Sequence, residues 1–216
     1  MRAHALPMFL IVALLLTFAP ALQAQMQNDS SPAQETVEES STGKSFPAEV
    51  SFNYDGADYT LSITGTTVRK KYIVAKVYGI AHYMQDAAKS SREEAFAAAL
   101  SDEKAKQITM DFARNVEPDK IQGAYHDGFK KNATDAELKE IQAQVDQFVG
   151  YFDKEVKENE QYVLRWLPGG IVLTTVQGEE KPAITSTTFA RVLWSIWLGK
   201  DSIVDRNKLV SIIASE

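Results

Sequence analysis

Apolar and polar residues alternate with a period of two along residues 50–54 and again along 59–63. This alternation is typical of strands that turn one face to a core and the other to water. Asp55-Gly56 between them is a hairpin signal. Residues 68–84 are richer in apolar and aromatic side chains, and they predict a more buried strand, or two strands joined by a bend.

Helical spacing appears further along the chain. Ser91 with Glu94 and Thr134 with Glu137 form two capping boxes, and each predicts the start of a helix. The other predicted elements are a strand at 107–112, a helix at 118–131, strands at 161–167 and 170–177 joined by Pro168-Gly169-Gly170, and helices at 186–198 and 205–214. Strands and helices do not alternate steadily, so we expect an α+β fold, an antiparallel sheet with helices packed on one face.

The N-terminus has the pattern of an export signal. Arg2 precedes an apolar stretch of about 13 residues, and small residues end at Ala24. A bilayer span needs roughly 20 residues, so the pattern predicts a cleaved signal peptide at 1–24 and no integral membrane segment afterwards. The predicted location is the periplasm, with secretion as the second choice. Residues 25–45 contain one valine and no aromatic residue, which predicts a disordered linker before a folded domain at 46–216.

Composition excludes several classes of function. The 216 residues carry 23 Lys and Arg against 29 Asp and Glu, a net charge of -6, which argues against a nucleic-acid partner. Cysteine is absent, so disulfides, thiolate nucleophiles and cysteine zinc sites are excluded. His82 and His126, the histidines beyond the signal, lack metal-ligand spacing, and we expect no metal site. No phosphate-binding glycine loop or G-x-S-x-G motif occurs, and no cofactor is predicted.

Arg69 is the strongest candidate for a functional residue. It enters the most apolar strand region, where a bare guanidinium must reach water, pair with a local acid or bind a ligand anion. Tyr72, Tyr78 and Tyr83 are candidate hydrogen-bond donors to the same anion. Strict alternation would place Arg69 and Tyr78 on opposite faces, so they meet only if a bulge or bend intervenes. The competing cations are Arg114, Arg165 and Arg191, and the three tryptophans are expected in the core.

These motifs resemble a known family. Gly65-Thr66-Thr67-Val68-Arg69, followed by residues 77–84, is similar to the G-x-x-x-R…Y-x-x-x-L-Y-L stretch of chalcone isomerase-like proteins. Residues 166–170 and the end of the last long helix at 196–200 also resemble the family, and the resemblance spans about 46–214. It implies an open-faced β-sandwich of the α+β class, with a ligand cleft between the sheet and the helices.

The resemblance implies one of two activities. In plant chalcone isomerases a strand arginine stabilises charge while a phenolate attacks an enone, aided by a threonine, a tyrosine, an asparagine and a hydroxyl residue on the last helix. Here the arginine is matched by Arg69. The other positions hold Tyr78, Lys120, Asp127 and Ile196, the last with Ser195 beside it.

In the fatty-acid-binding branch of the family, an arginine and a tyrosine on the corresponding strands hold a carboxylate, and Arg69 and Tyr78 match that pair. We therefore predict a non-catalytic periplasmic binding protein for a fatty acid or similar amphipathic carboxylate in an apolar cleft. The alternative is an isomerase, an intramolecular lyase acting on an aromatic enone. A partner-binding module without a small ligand is a third hypothesis.

Overall fold

The computed structural model describes residues 34–72 and 74–215. The expected signal peptide at 1–24 and residues 25–33 of the expected linker lie outside the described residues. The strands are β1 (Thr36–Glu39), β2 (Lys44–Pro47), β3 (Glu49–Tyr54), β4 (Ala57–Lys71), β5 (Ala75–Met84), β6 (Ser90–Ser91), β7 (Lys106–Phe112), β8 (Gln161–Leu167), β9 (Ile171–Val176), β10 (Glu179–Thr185) and β11 (Ala214–Ser215). The helices are α1 (Arg92–Leu100), α2 (Pro118–Asn132), α3 (Asp135–Val149), α4 (Thr187–Leu198) and α5 (Arg206–Leu209).

One large antiparallel sheet organises the described chain. Its seven strands follow the order β10-β9-β8-β7-β5-β4-β3, and every neighbouring pair runs antiparallel. Alternate residues of β5 enter two separate clusters: Tyr78 and Ile80 pack with residues of all five helices, whereas Ala81 and Tyr83 pack in a second cluster. The prediction of an α+β fold, with an antiparallel sheet and helices packed on it, is confirmed.

Local signals in the sequence determine where the helices begin. Ser91 and Thr134 cap α1 and α3, and each forms the complete capping box with the glutamate three residues later. Pro118 stands in the first turn of α2, where its missing N–H leaves no bond unmade. The last predicted helix, 205–214, is shorter than expected: α5 is a single turn, and β11 then pairs in parallel with β6.

Residues 34–45 differ from the expected linker. They contribute to an antiparallel hairpin of β1 and β2 that lies against the sheet face opposite the helices. Glu39 is buried, and the cost of burying its carboxylate is offset because the carboxylate accepts hydrogen bonds from the backbone N–H groups of Ser41 and Thr42. Phe46 packs in the second cluster. A Cβ at Gly79 would lie 2.8 Å from Oγ1 of Thr42, so the close approach of the hairpin requires glycine at this position. Polar turn contacts therefore order a segment whose composition indicates disorder.

Among the described helices, none combines the length and the apolar composition that crossing a bilayer requires.

The expected strand pair at 161–177 is present as β8 and β9. A further strand, β10, forms the edge of the sheet, and its sequence, EEKPAIT, is too polar to predict a strand. Pro182 is tolerated there because an edge strand leaves one side without backbone partners.

Candidate functional site

A bend and a bulge bring Arg69 and Tyr78 together. The chain reverses between β4 and β5, so that the two residues lie on neighbouring antiparallel strands. The register then shifts by one residue between Lys70 and Arg69, which leaves Val77 unpaired and sets Arg69 opposite Tyr78. Residues opposite one another in an antiparallel pair project from the same face. Both a bend and a bulge therefore intervene between Arg69 and Tyr78, and the two side chains share one face of the sheet.

The guanidinium of Arg69 is half-buried at the edge of the helix layer. Its Nη1 donates to the carbonyl oxygens of Lys70 and Ile203, at 2.8 Å and 3.0 Å. Within residues 34–72 and 74–215, it forms no salt bridge with a carboxylate. A guanidinium has five N–H donors, so a planar fork remains for an anionic guest.

The hydroxyl of Tyr78 is buried and neutral. Burial raises the pKa of Tyr78, and the opposing effects of a hydrogen bond from Trp197 and of the Arg69 charge are smaller. The indole Nε1–H of Trp197 donates to the Tyr78 oxygen at 3.0 Å. Because the oxygen accepts this bond, the phenolic proton is free to be donated to an oxygen anion.

A small cavity lies below Tyr78, between the sheet and the helices. Its volume is about 40 Å³, and it is lined by Tyr78, Met110, Phe112, Ile121, Ala124, Tyr125, Tyr162, Ile196, Trp197 and Ile203. The side chain of Ala124 is exposed and that of Ile203 half-buried, so these two lie at the opening. At the position expected for an apolar cleft the structure has this small cavity, which in the present conformation has room for one or two water molecules at most.

Three tyrosines line this cavity. Burial raises the pKa of Tyr125 and of Tyr162, and the proximity of Tyr78 and Tyr162 raises that of Tyr125 further. The Tyr162 hydroxyl is buried and has no hydrogen-bond partner among the described residues. The walls are therefore aromatic and aliphatic, with neutral hydroxyls as their polar groups and Arg69 as the nearby cation at the rim.

Other candidate residues lie elsewhere. Tyr72 is exposed in the turn, and Tyr83 lies in the cluster on the opposite face of the sheet. Arg114 is exposed. Arg165 stacks over the ring of Phe52 at 4.2 Å, and Arg191 pairs with Glu137. Of the cations and tyrosines named from the sequence, Tyr78 lines the cavity and Arg69 binds the carbonyl of Ile203 at its opening.

The remaining positions implied by the plant enzymes offer no group that could replace the missing ones. Lys120 and Asp127 are exposed on α2, and Lys120 pairs with the neighbouring Asp119 at 2.7 Å. Ile196 lines the cavity with an aliphatic side chain. The hydroxyl of Ser195 donates to the carbonyl of Arg191 within its own helix.

Sequence reasoning missed three residues of the site: Tyr125, Tyr162 and Trp197. Tyr125 shares the buried stripe of α2 with Ile121 and Phe129 at helical spacing, which is equally typical of a core residue. Tyr162 alternates along β8, and Trp197 stands in an almost wholly buried helix. No local signal distinguishes these residues, because the cavity forms only where three distant segments meet.

Two further features of the described chain are poorer binding sites. No three His, Asp or Glu side chains cluster as metal ligands would among the described residues. A larger depression of about 370 Å³ lies near Thr134 and Gly199, and it includes the charged residues Lys131, Glu137, Lys200 and Asp201. It is wide open to solvent and mixed in charge, so the smaller apolar cavity is the better candidate for an amphipathic ligand.

Comparison with known proteins identifies similar chains. The profile of a family described as chalcone isomerase-like matches residues 39–209. The crystal structure of an Arabidopsis thaliana fatty-acid binding protein superposes with a TM-score of 0.62 at 17% sequence identity, covering 83% of this chain and 96% of that one. No match was found among curated proteins. At this identity the structural likeness shows the fold, a curled antiparallel sheet with helices packed on it.

Proposed function

The chain belongs to the chalcone isomerase-like family, and on this premise we propose that it is a non-catalytic binding protein for a fatty acid or similar amphipathic carboxylate. One observation carries the proposal. Arg69, which has no carboxylate partner among the described residues, stands opposite the buried neutral hydroxyl of Tyr78 at an apolar cavity. The name of the structural relative, a fatty-acid binding protein, supports the same reading.

The head group is recognised by two kinds of donor. The guanidinium fork of Arg69 matches the two oxygens of a carboxylate, and the Tyr78 hydroxyl donates a further bond. In the present conformation Nη1 is bonded to the carbonyls of Lys70 and Ile203, whereas Nε and Nη2 form the fork that remains. A carboxylate carries a full negative charge whereas the carbonyl of Ile203 is neutral, so a bound carboxylate also competes for Nη1.

The tail requires a larger space than the present cavity. Pockets for small molecules measure roughly 300–1,000 Å³, against about 40 Å³ here. The segment 199–205 between α4 and α5 carries Ile203 at the opening, and we propose that it moves outward when its bond to Arg69 is replaced. Each buried methylene contributes roughly 0.8 kcal/mol, so a tail of about a dozen carbons supplies roughly 10 kcal/mol to offset opening and ordering.

The surroundings of the cavity favour binding over the isomerase reaction. Closing a chalcone ring in the plant manner requires polar side chains around the reacting enone, whereas Lys120 and Asp127 point into solvent and Ile196 is aliphatic. Arg69 alone would supply the stabilising charge. An absorbance assay with chalcones tests this part, and turnover faster than in buffer would contradict a purely binding role.

We also propose that the protein works in the periplasm after cleavage of residues 1–24. The basic start, the apolar stretch of about 13 residues and the small residues before the cut support this location. Cell fractionation together with N-terminal sequencing of the mature chain tests it. A chain that begins at Met1 and sediments with membranes would contradict the proposal.

Native mass spectrometry of gently purified protein tests the binding function directly. We expect a bound species heavier than the polypeptide by the mass of a fatty acid, and extraction should release that acid. A protein that is free of lipid and also fails to bind a fluorescent fatty acid at micromolar concentration would contradict the proposed function.

A further inference from the structure

The turn between β4 and β5 presents two apolar side chains to solvent. Tyr72 is 84% exposed and Val74 82% exposed, whereas the third large apolar side chain found exposed in the described part of the chain, Ile212, reaches only 36%. Single exposed apolar residues are common, whereas two so fully exposed on one turn are a candidate contact surface. Tyr72 also has a positive φ of 57°, which is an unusual conformation for a residue other than glycine.

Cations surround this turn. Arg69, Lys70, Lys71 and Lys76 lie within a few residues of it, and the three lysines are exposed. Among the described residues, none of the four forms a salt bridge with a carboxylate. The whole chain has a net charge of -6, so this positive cluster runs against the charge of the molecule. Its sign selects an anionic partner.

We propose that the exposed side chains of Tyr72 and Val74, which we call the tip, dock the protein on an anionic lipid bilayer. Tyrosine is favoured at the level of the lipid head groups, and a neighbouring aliphatic side chain can reach the acyl boundary. Lysines around such a tip are attracted to the negative surface of the membrane. A stable protein interface buries about 1,200 Å² or more, which a single hairpin tip does not offer, so a bilayer fits the surface better than an acidic protein.

The tip is connected to the candidate binding site. Arg69 lies three residues before Tyr72 on the same strand, and its guanidinium holds the carbonyl of Ile203 at the cavity opening. Docking through the tip therefore brings the cavity opening to the membrane surface, where amphipathic carboxylates are found. The docking inference itself does not depend on what the cavity binds.

Flotation with vesicles tests the proposal. The purified protein is mixed with vesicles of phosphatidylglycerol and phosphatidylcholine or of phosphatidylcholine alone, at low and at high salt. Two double variants remove the two components of the surface: Tyr72→Asn with Val74→Ser, and Lys70→Gln with Lys71→Gln. Asparagine tolerates the positive φ of position 72, so the turn is preserved. The control, Lys130→Gln with Lys139→Gln, removes the same charge from exposed positions of α2 and α3.

We expect the parent and the control to float with the anionic vesicles at low salt, and to be released by high salt. The lysine double variant should bind about 25-fold more weakly, and the apolar double variant should also lose binding. Absence of parent binding, or equal binding by all variants, would overturn the proposal. Displacement of a fluorescent fatty acid in the absence of vesicles is measured in parallel. The tip variants should retain it, so failure of docking is distinguished from failure of the proposed function.

Discussion

The indole N–H of Trp197 donates to the hydroxyl oxygen of Tyr78, and this bond joins the last long helix to the strand that carries the candidate site. Both side chains are buried, at 1% and 7% exposure. The bond fixes the orientation of the Tyr78 hydroxyl and occupies it as an acceptor. Its proton therefore points to another acceptor, and in our proposal that acceptor is a ligand carboxylate.

Tyr78→Phe tests this arrangement. Loss of the phenolic donor should weaken fatty-acid binding about tenfold, as expected for one hydrogen bond to a charged group. It should also lower the free energy of unfolding by about 1–2 kcal/mol, because the indole N–H of Trp197 is left buried without an acceptor. Fluorescent fatty-acid displacement and urea denaturation measure the two effects.

Adding Trp197→Phe to Tyr78→Phe provides the control for that prediction. The double variant has no orphaned N–H but loses the volume of the buried indole, so its loss of stability should be smaller than the sum of the two single losses, while the lost affinity does not return. Recovery of affinity in the double variant would contradict the role given to the Tyr78 proton.

Two glycines of α2 form a matched pair for the packing beneath the cavity. A Cβ at Gly128 would lie 2.8 Å from Cδ1 of Ile196, a lining residue, whereas one at Gly123 meets nothing within 4 Å. Gly123→Ala should raise the free energy of unfolding by about 0.5–1 kcal/mol through helix propensity. Gly128→Ala should lower it by about 1 kcal/mol because the core is overpacked. Urea denaturation measures both, and equal gains would show that α2 and α4 are not in close contact there.

Burial of His82 predicts a stability that falls with acid. Burial lowers the pKa of His82 to about 3, with a smaller contribution from the charge of Lys106. The native state therefore keeps this ring neutral, while the unfolded chain binds a proton below pH 6.5. Between these values the unfolded state holds more protons, so stability should decrease by about 1.4 kcal/mol per pH unit as pH falls.

Urea denaturation of the parent, His82→Gln and His126→Gln at several pH values between 4 and 7 checks that slope. His126 is exposed, so its variant serves as the control and should follow the parent. The His82 variant should show a shallower dependence, since the difference isolates one group from the titrating carboxylates. Parallel curves for all three proteins would contradict a neutral buried ring.

The N-terminal hairpin is stabilised by a half-buried ion pair. The Nζ of Lys44 contacts Asp111 of β7, with both side chains 13% exposed, and donates to Asn159 at 2.6 Å. Lys44→Met should lower the free energy of unfolding by about 2 kcal/mol, because Asp111 loses its cation. The control, Lys120→Met, removes an exposed pair and should change stability by less than about 0.5 kcal/mol. Proteolysis within residues 34–47 should accelerate only in the first variant.

The sequence predicts most of the helical layer and the central strands, because capping boxes and period-two alternation act locally. Thr134 with Glu137, for example, is sufficient to place the start of α3. The N-terminal hairpin escaped prediction because its order comes from tertiary contacts, among them the Lys44 ion pair and Glu39 binding its own turn. The amino-acid composition of the segment does not predict such contacts.

The candidate site is predictable only in part, for a related reason. Residue chemistry singled out Arg69 and a family resemblance paired it with Tyr78, but their meeting depends on a bulge at Val77 that no residue pattern indicates. Tyr125 and Trp197 reach the cavity from two helices that packing brings together. The shape of the cavity is thus a property of the folded chain, and the sequence supplies only the residue types.

The most direct test of the proposed function compares a fatty acid with the fatty alcohol of the same chain length, in the parent, Arg69→Gln and Arg114→Gln. Arg114 is exposed, so its variant controls for the loss of one positive charge. Calorimetric titration should show that the parent and the control prefer the acid, and that Arg69→Gln binds the acid about 100-fold more weakly while binding of the alcohol changes little. If Arg69→Gln retains the parent's affinity and preference for the acid, Arg69 does not hold the ligand and the account of the site is wrong.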